Sequence, residues 1–154
     1  FYSLKMNKNR LMSGLKKTKW KGRLEFISKN VLIDCAHNPS GFEVLKKELL
    51  IIKNKKNFKE IFFVIGIQST KDIANMLKKI KPLISNIIFT KSKNEKASEP
   101  EQLSQIFNEI NKNESIETKI IKKPSAALNY AKKIADKKDL IVVTGSIYMI
   151  GEVI

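Results

Sequence analysis

The sequence has little of what a disulfide-bonded, metal-held or membrane-bound fold requires. Of its 154 residues, one is cysteine, Cys35, and one is histidine, His37. A lone cysteine can close no internal disulfide, as expected of a chain kept in a reducing, cytoplasmic compartment. One Cys with one His also argues against a structural zinc site made from those residue types. No run of about 18 apolar residues is present to span a membrane. The opening Phe1-Tyr2-Ser3-Leu4 lacks the charged-then-apolar order of a signal peptide. The chain does not open with Met, which suggests a piece of a longer protein. Neither Gly-x-x-x-x-Gly-Lys-Ser/Thr nor Gly-x-Gly-x-x-Gly occurs, so the motifs here supply no cradle for a triphosphate.

Acidic residues are scarce too, 15 against 30 basic ones, for a net charge of +15. Such a surplus fits an anionic partner, whether nucleic acid, nucleotide or a polyglutamate tail. It equally fits an AT-rich genome that writes lysine on every solvated helix face. Arginine occurs only at Arg10 and Arg23, and the lysines are spread along the chain. Base-reading proteins concentrate arginine and exposed aromatics, so specific nucleic-acid binding is not expected.

Apolar residues make up 42%, enough for one domain with a real core. Residues 1–20 are basic with scattered apolar positions, and read as the tail of a preceding domain with a linker. Beyond them, strand-like and helix-like stretches alternate. Leu24–Ile27 and Val31–Asp34 read as short strands about a turn at Lys29-Asn30. Asn38 caps and Pro39 opens a helix whose buried stripe is Phe42, Leu45, Leu49 and Ile52. Ile61–Ile65 is a continuous apolar run, the mark of a strand buried on both faces. A helix with Ile73, Met76, Leu77 and Ile80 on one face follows, then a buried strand over Ile87–Thr90. The loop Lys91–Ser98 is polar and expected to be mobile. Ser98-Glu99-Pro100-Glu101 has the form of a capping box ahead of Leu103, Ile106, Phe107 and Ile110. Ile116–Ile121 has mixed polarity, as an edge strand does. Pro124 opens a helix with Leu128, Ala131 and Ile134, and Leu140–Val143 is the last central strand. This alternation predicts an α/β domain, Rossmann-like and three-layered, with a mainly parallel sheet covered on both faces.

In such a sheet, ligands bind beyond the carboxyl ends of the strands. Two segments fall there, Asp34-Cys35-Ala36-His37-Asn38-Pro39 and Thr144-Gly145-Ser146. Asp34 suits a ribose diol, or else caps nearby backbone N–H groups. His37 is a donor for phosphate or carboxylate near a helix start, or else a structural ring bonded to backbone. Arg23 has the planar fork that suits phosphates and purine faces, or else pairs with Glu25 on the surface. A Cys-His nucleophile is conceivable from Cys35 and His37, but Cys35 reads as a small packing residue. Gly66 reads as a point of backbone freedom at a strand end, and Gly145 as a place for the chain to approach a ligand.

Four motifs occur in order. Trp20-Lys21-Gly22-Arg23-Leu24-Glu25 resembles a Trp-Pro-Gly-Arg-Leu-Glu entry. Leu32-Ile33-Asp34-Cys35-Ala36-His37-Asn38-Pro39 resembles Leu-Ile-Asp-Gly-Ala-His-Asn-Pro. Gly66 with Thr70-Lys71-Asp72 and Met76-Leu77, and Thr144-Gly145-Ser146-Ile147-Tyr148 with Gly151-Glu152-Val153, complete the set. Together they resemble the C-terminal domain of folylpolyglutamate synthases and bifunctional dihydrofolate synthases, of the Mur-ligase superfamily, over residues 10 to 154. The resemblance implies a boundary near residue 20, with a Mur-ligase C-terminal domain over 21–154. Residues 1–20 would then end a central ATPase domain. It implies a cytoplasmic enzyme that ligates glutamate to a folate γ-carboxylate through an acyl phosphate, with ATP and Mg2+ as cofactors and ADP and phosphate as products. The P-loop, the metal ligands and most of the folate site would lie in the missing N-terminal domain, a partner in cis, so the fragment alone would be inactive. By position, Arg23 and Asp34 would contact ATP, with Asp34 at the ribose. His37, Asn38 and Ser146 would lie on the phosphate and glutamate side. Three residues depart from the pattern: Lys21 for Pro, Cys35 for Gly, and Lys96 where arginine is common. The alternatives are another Mur-type amino-acid ligase acting on a cell-wall precursor, or a basic nucleic-acid-binding module.

Overall fold

The computed structural model describes residues 20–112 and 116–154. The expected tail and linker therefore lie, Trp20 apart, outside the described residues. The strands are β1 (Glu25–Ser28), β2 (Val31–Asp34), β3 (Ile61–Ile65), β4 (Asn86–Phe89), β5 (Glu117–Ile120) and β6 (Leu140–Thr144). The helices are α1 (Pro39–Lys56), α2 (Ile73–Ile80), α3 (Pro100–Ile110), α4 (Pro124–Ile134) and α5 (Ile147–Gly151), with a 3-10 turn at Lys81–Leu83. The strands form one sheet in the order β1-β2-β6-β3-β4-β5. Only β1 runs antiparallel, to β2; every other pairing is parallel.

The apolar runs sit where their composition sends them. All five residues of β6 and all four of β2 are buried, as suits strands covered on both faces. Alternate residues serve opposite layers. Leu32, Phe63, Phe89 and Val142 pack with Phe42, Leu45 and Leu49 of α1, Met76 and Leu77 of α2, and Leu103 and Phe107 of α3. Ile33, Val64, Ile88 and Val143 pack on the other face with Ala127, Leu128 and Ala131 of α4 and Met149 of α5. The result is the expected three-layer α/β domain. β5, with its exposed and charged positions, is the edge strand that its mixed polarity announces.

Local signals succeed unevenly. Asn38 caps α1, its side chain accepting the Gly41 N–H at 2.7 Å, and Pro39 is the first helical residue. The capping box before α3 does not form. Glu99 holds the cap position without a side-chain bond, and its carboxylate meets Lys91 Nζ at 2.6 Å. Ser98 Oγ is buried with no partner. Its backbone explains why: Ser98 N–H is drawn to the Ile67 carbonyl at 2.9 Å, which places Ser98 one residue too early to cap. The Lys91–Ser98 loop is fastened by that bond and by Ser69 N–H to the Lys96 carbonyl at 2.9 Å.

Leu49 is fully buried between α1 and the sheet, whereas Ile51 on the same helix is 58% exposed. In urea unfolding, Leu49→Ala should lower the unfolding free energy by about 2–5 kcal/mol. Ile51→Ala should change it by less than about 0.5 kcal/mol.

Candidate functional site

β2 ends at Asp34 and α1 starts at Pro39, so residues 35–38 turn at the carboxyl edge of the sheet. Asp34 is nearly buried, and both of its oxygens are engaged. Oδ2 accepts the Leu24 N–H at 3.0 Å and Oδ1 accepts the Ala36 N–H at 2.8 Å. The carboxylate thus clips the segment that enters the domain to the turn that leaves β2. Cys35 N–H, donating to the Gly22 carbonyl at 2.7 Å, closes the clip. The backbone it holds is unusual: Gly22 has φ 73° and Leu24 φ 44°. A left-handed conformation is free for glycine but strained for leucine, so the bond from Asp34 to the Leu24 amide holds a conformation the residue would not choose.

Arg23 stands between these two residues and is exposed. Its guanidinium carbon lies 5.5 Å from the centre of the Trp20 ring, a cation–π contact. It does not pair with Glu25, whose Oε2 instead accepts the Gly22 N–H at 2.7 Å. The turn closes through Arg23 N–H to the Trp20 carbonyl at 3.2 Å, so lysine in place of proline at Lys21 leaves it intact.

Arg23 and Asp34 line one cavity of about 420 Å³, together with His37 and Asn38. His37 Nδ1 lies 2.9 Å from the Cys35 carbonyl. A carbonyl only accepts, so Nδ1 carries the proton and Nε2 is left for other contacts. Asn38 uses its side-chain oxygen to cap α1, which leaves its amide hydrogens for other contacts. Two of these residues therefore also fill the structural roles that the sequence allowed for them, Asp34 as a backbone cap and His37 as a ring bonded to backbone.

Ser146 is not brought to this cavity. It is buried after β6, and its Oγ and the Thr144 Oγ1 are both buried without a partner. Gly145, expected to let the chain approach a ligand, and Gly66, expected to give backbone freedom, both serve close packing of the chain itself. Gly145 has φ 111°, and a Cβ there would lie 2.6 Å from the Gly66 carbonyl oxygen. Gly66 is needed for lack of room rather than for backbone freedom, since a Cβ there would lie 2.9 Å from the Thr90 carbonyl oxygen. Lys96 is exposed and lies outside the cavity. The sequence reading missed Val44, 56% exposed on α1 and part of the cavity wall. Its signal was an apolar residue off the buried stripe, two turns at most from Asn38.

Cys35 also faces the cavity. Burial, and next the negative charge of Asp34, push its thiol above the usual 9.0. It is a neutral packing residue beside Gly22, where an added Cβ would lie 2.8 Å from its Sγ.

Residues 23–154 match the family model of the dihydrofolate synthetase C-terminal domain. The chain belongs to that family. It is 28% identical over 141 residues to a probable bifunctional folylpolyglutamate synthase/dihydropteroate synthase of Haloferax volcanii, covering 90% of this chain and 16% of that protein. It is 27% identical over 145 residues to the dihydrofolate synthase/folylpolyglutamate synthase of Bacillus subtilis, covering 93% of this chain and 32% of that protein. Its fold matches E. coli FolC, solved in complex with ADP without folate substrate, at a TM-score of 0.84 and 23% identity. That match covers 98% of this chain and 34% of FolC. The dihydrofolate synthetase domain thus spans about a third or less of these relatives.

Asp34→Ala orphans two backbone N–H groups and should cost about 2–4 kcal/mol in urea unfolding. At pH 8, Cys35 should react with iodoacetamide more slowly in the folded domain than in urea-unfolded chain. Asp34→Asn, which removes the neighbouring negative charge, should speed the folded reaction. Equal rates in folded and unfolded chain would show that the thiol is not held neutral.

Proposed function

We propose that this domain is the nucleotide-closing half of an ATP-dependent ligase that joins glutamate to a folate carboxylate through an acyl phosphate, yielding ADP and phosphate. The observation that carries the reading is the single cavity shared by Arg23 and Asp34 at the carboxyl edge of the sheet. A guanidinium suits phosphate oxygens and the face of a purine. Each Asp34 oxygen gives one lone pair to backbone, which leaves acceptors for the two hydroxyls of a ribose. His37 Nε2 and the Asn38 amide stand at the start of the 18-residue helix α1, where backbone dipoles favour a phosphate or the carboxylate of glutamate. Ser146 belongs to this reading only if its buried hydroxyl is uncovered when the two halves of the ligase meet. E. coli FolC, whose fold this domain shares, was solved in complex with ADP, which fits a nucleotide-dependent ligase.

Among the described residues, no three His, Cys, Asp or Glu side chains gather as a metal set. The reading assigns the metal and the triphosphate cradle to a preceding P-loop domain in cis. This domain's own part is to grip adenosine and to cover the reacting carboxylate. An acyl phosphate survives only where water is kept out, and closure of one half over the other does that. The reading places the ligase in the cytoplasm; among the described residues no helix is long and apolar enough to cross a membrane. The cell-wall and nucleic-acid alternatives are not favoured, since the family matched is that of dihydrofolate synthetase.

The 154-residue chain alone should release no phosphate from ATP in the presence of folate and glutamate. In the protein joined to its P-loop domain, Arg23→Ala should raise the KM for ATP about tenfold, the loss of one charge-assisted contact. The KM for folate should stay within about twofold. Phosphate release by the 154-residue chain, or an unchanged KM for ATP, would sink the reading.

A further inference from the structure

A second cavity, of about 640 Å³, lies where β4 and β5 end. It shares no residue with the Arg23 and Asp34 cavity. Two runs build it, Lys91-Ser92-Lys93 after β4 and Lys122-Lys123-Pro124-Ser125 leading into α4. The strands are parallel neighbours, so the runs emerge side by side. Lys91 N–H donates to the Lys122 carbonyl at 3.2 Å, and Thr90 Oγ1 donates to the same oxygen at 2.8 Å.

The charge here is only partly compensated. Lys91 meets Glu99 at 2.6 Å and Lys122 meets Glu101 at 3.4 Å. Lys93 and Lys123 have no acidic partner among the described residues. Glu152, the one acid in the wall, directs Oε1 to the Lys93 backbone N–H at 2.7 Å.

Backbone donors point the same way. Helix α4 begins without a side-chain cap, behind Lys123. Pro124 has no N–H, and the first N–H to find an acceptor is that of Ala127, at 2.9 Å from the Lys123 carbonyl. The amides of Ser125 and Ala126 have no acceptor among the described residues, and the helix dipole makes that end attractive to anions. Independent of the helix is Ser92. It is 5% exposed and lines the cavity, yet its hydroxyl makes no hydrogen bond among the described residues. Its side chain is nearly buried, yet its hydroxyl is unpaired and open to a basic cavity, where it can donate to a ligand oxygen.

We infer that this cavity binds an oxyanion, a phosphate or carboxylate group, held by Lys93, Lys123, the Ser92 hydroxyl and the free amides that open α4. The inference stands apart from the ligase reading, because neither Arg23 nor Asp34 takes part. Phosphate and carboxylate present the same oxygens to these donors. The two sources separate by probe, inorganic phosphate for one and tri-γ-glutamate for the other.

Amide NMR titrations of the 154-residue chain at about 150 mM salt, where exposed charges are screened beyond about 8 Å, supply the test. The Ser92, Ser125 and Ala126 amides should shift to saturation with at least one probe. Saturation with phosphate alone assigns a phosphate site, and with tri-γ-glutamate alone a carboxylate site. Lys93→Gln with Lys123→Gln should weaken that binding about tenfold or more. Ser92→Ala should weaken it severalfold. Lys46→Gln with Lys47→Gln, on α1, should leave it unchanged. No saturable shift with either probe would overturn the assignment. So would equal weakening by the two lysine pairs, which would show bulk charge alone.

Discussion

One carboxylate holds the cleft together. Asp34 ends an apolar strand, where a bare charge would be expensive, and it is kept there by the amides of Leu24 and Ala36. Those bonds satisfy the charge and fix two pieces of chain at once. The entering loop is brought alongside the turn before α1, and Arg23 is carried with it to the rim of the cavity. That anchor bonds the Leu24 amide directly and so holds its left-handed conformation. The acid is therefore both the support of the cleft and part of its wall. Its role as a backbone cap does not remove it from the cavity wall.

The fold was legible wherever composition alone decides. Ile61–Ile65 and Leu140–Val143 are apolar throughout because both of their faces are covered, and they occupy the centre of the sheet. Asn38-Pro39 announced a helix start because cap and first-turn chemistry act within four residues. The capping box at Ser98 misled because the same residues were claimed by a longer-range bond, Ser98 N–H to Ile67. Gly66 and Gly145 show the same limit. Their smallness is explained by each other and by Thr90, contacts that exist only once β3, β4 and β6 lie together. For the site, order and spacing of motifs were enough to bring Arg23 and Asp34 to one place, but not to reveal that the Asp34 oxygens are shared with backbone. That Ser146 is buried at a strand end could not be read from a Gly-Ser pair.

The large positive charge resolves into unequal parts. Much of it lies on exposed helix faces, where Lys79 with Glu43 forms an ordinary surface pair at 3.1 Å. At the ends of β4 and β5 the lysines instead converge on a concavity. The runs that meet there are far apart in sequence, so only strand adjacency reveals the grouping. Counting charges along the chain could not have separated a solvated face from a gathered one.

The position of β6 sets the order in which the domain can be assembled. Among the described residues β6 is the last strand in sequence, yet it lies between β2 and β3 and pairs with both. During synthesis, β2 and β3 leave the ribosome with facing edges unpaired, and those edges stay open until residues 140–144 appear. At about 5–20 residues per second the nascent chain spends several seconds with two apolar strand edges exposed. The sheet closes only by insertion, from the middle, of a strand made after both of its neighbours, so the earlier strands must be kept from pairing with each other while they wait.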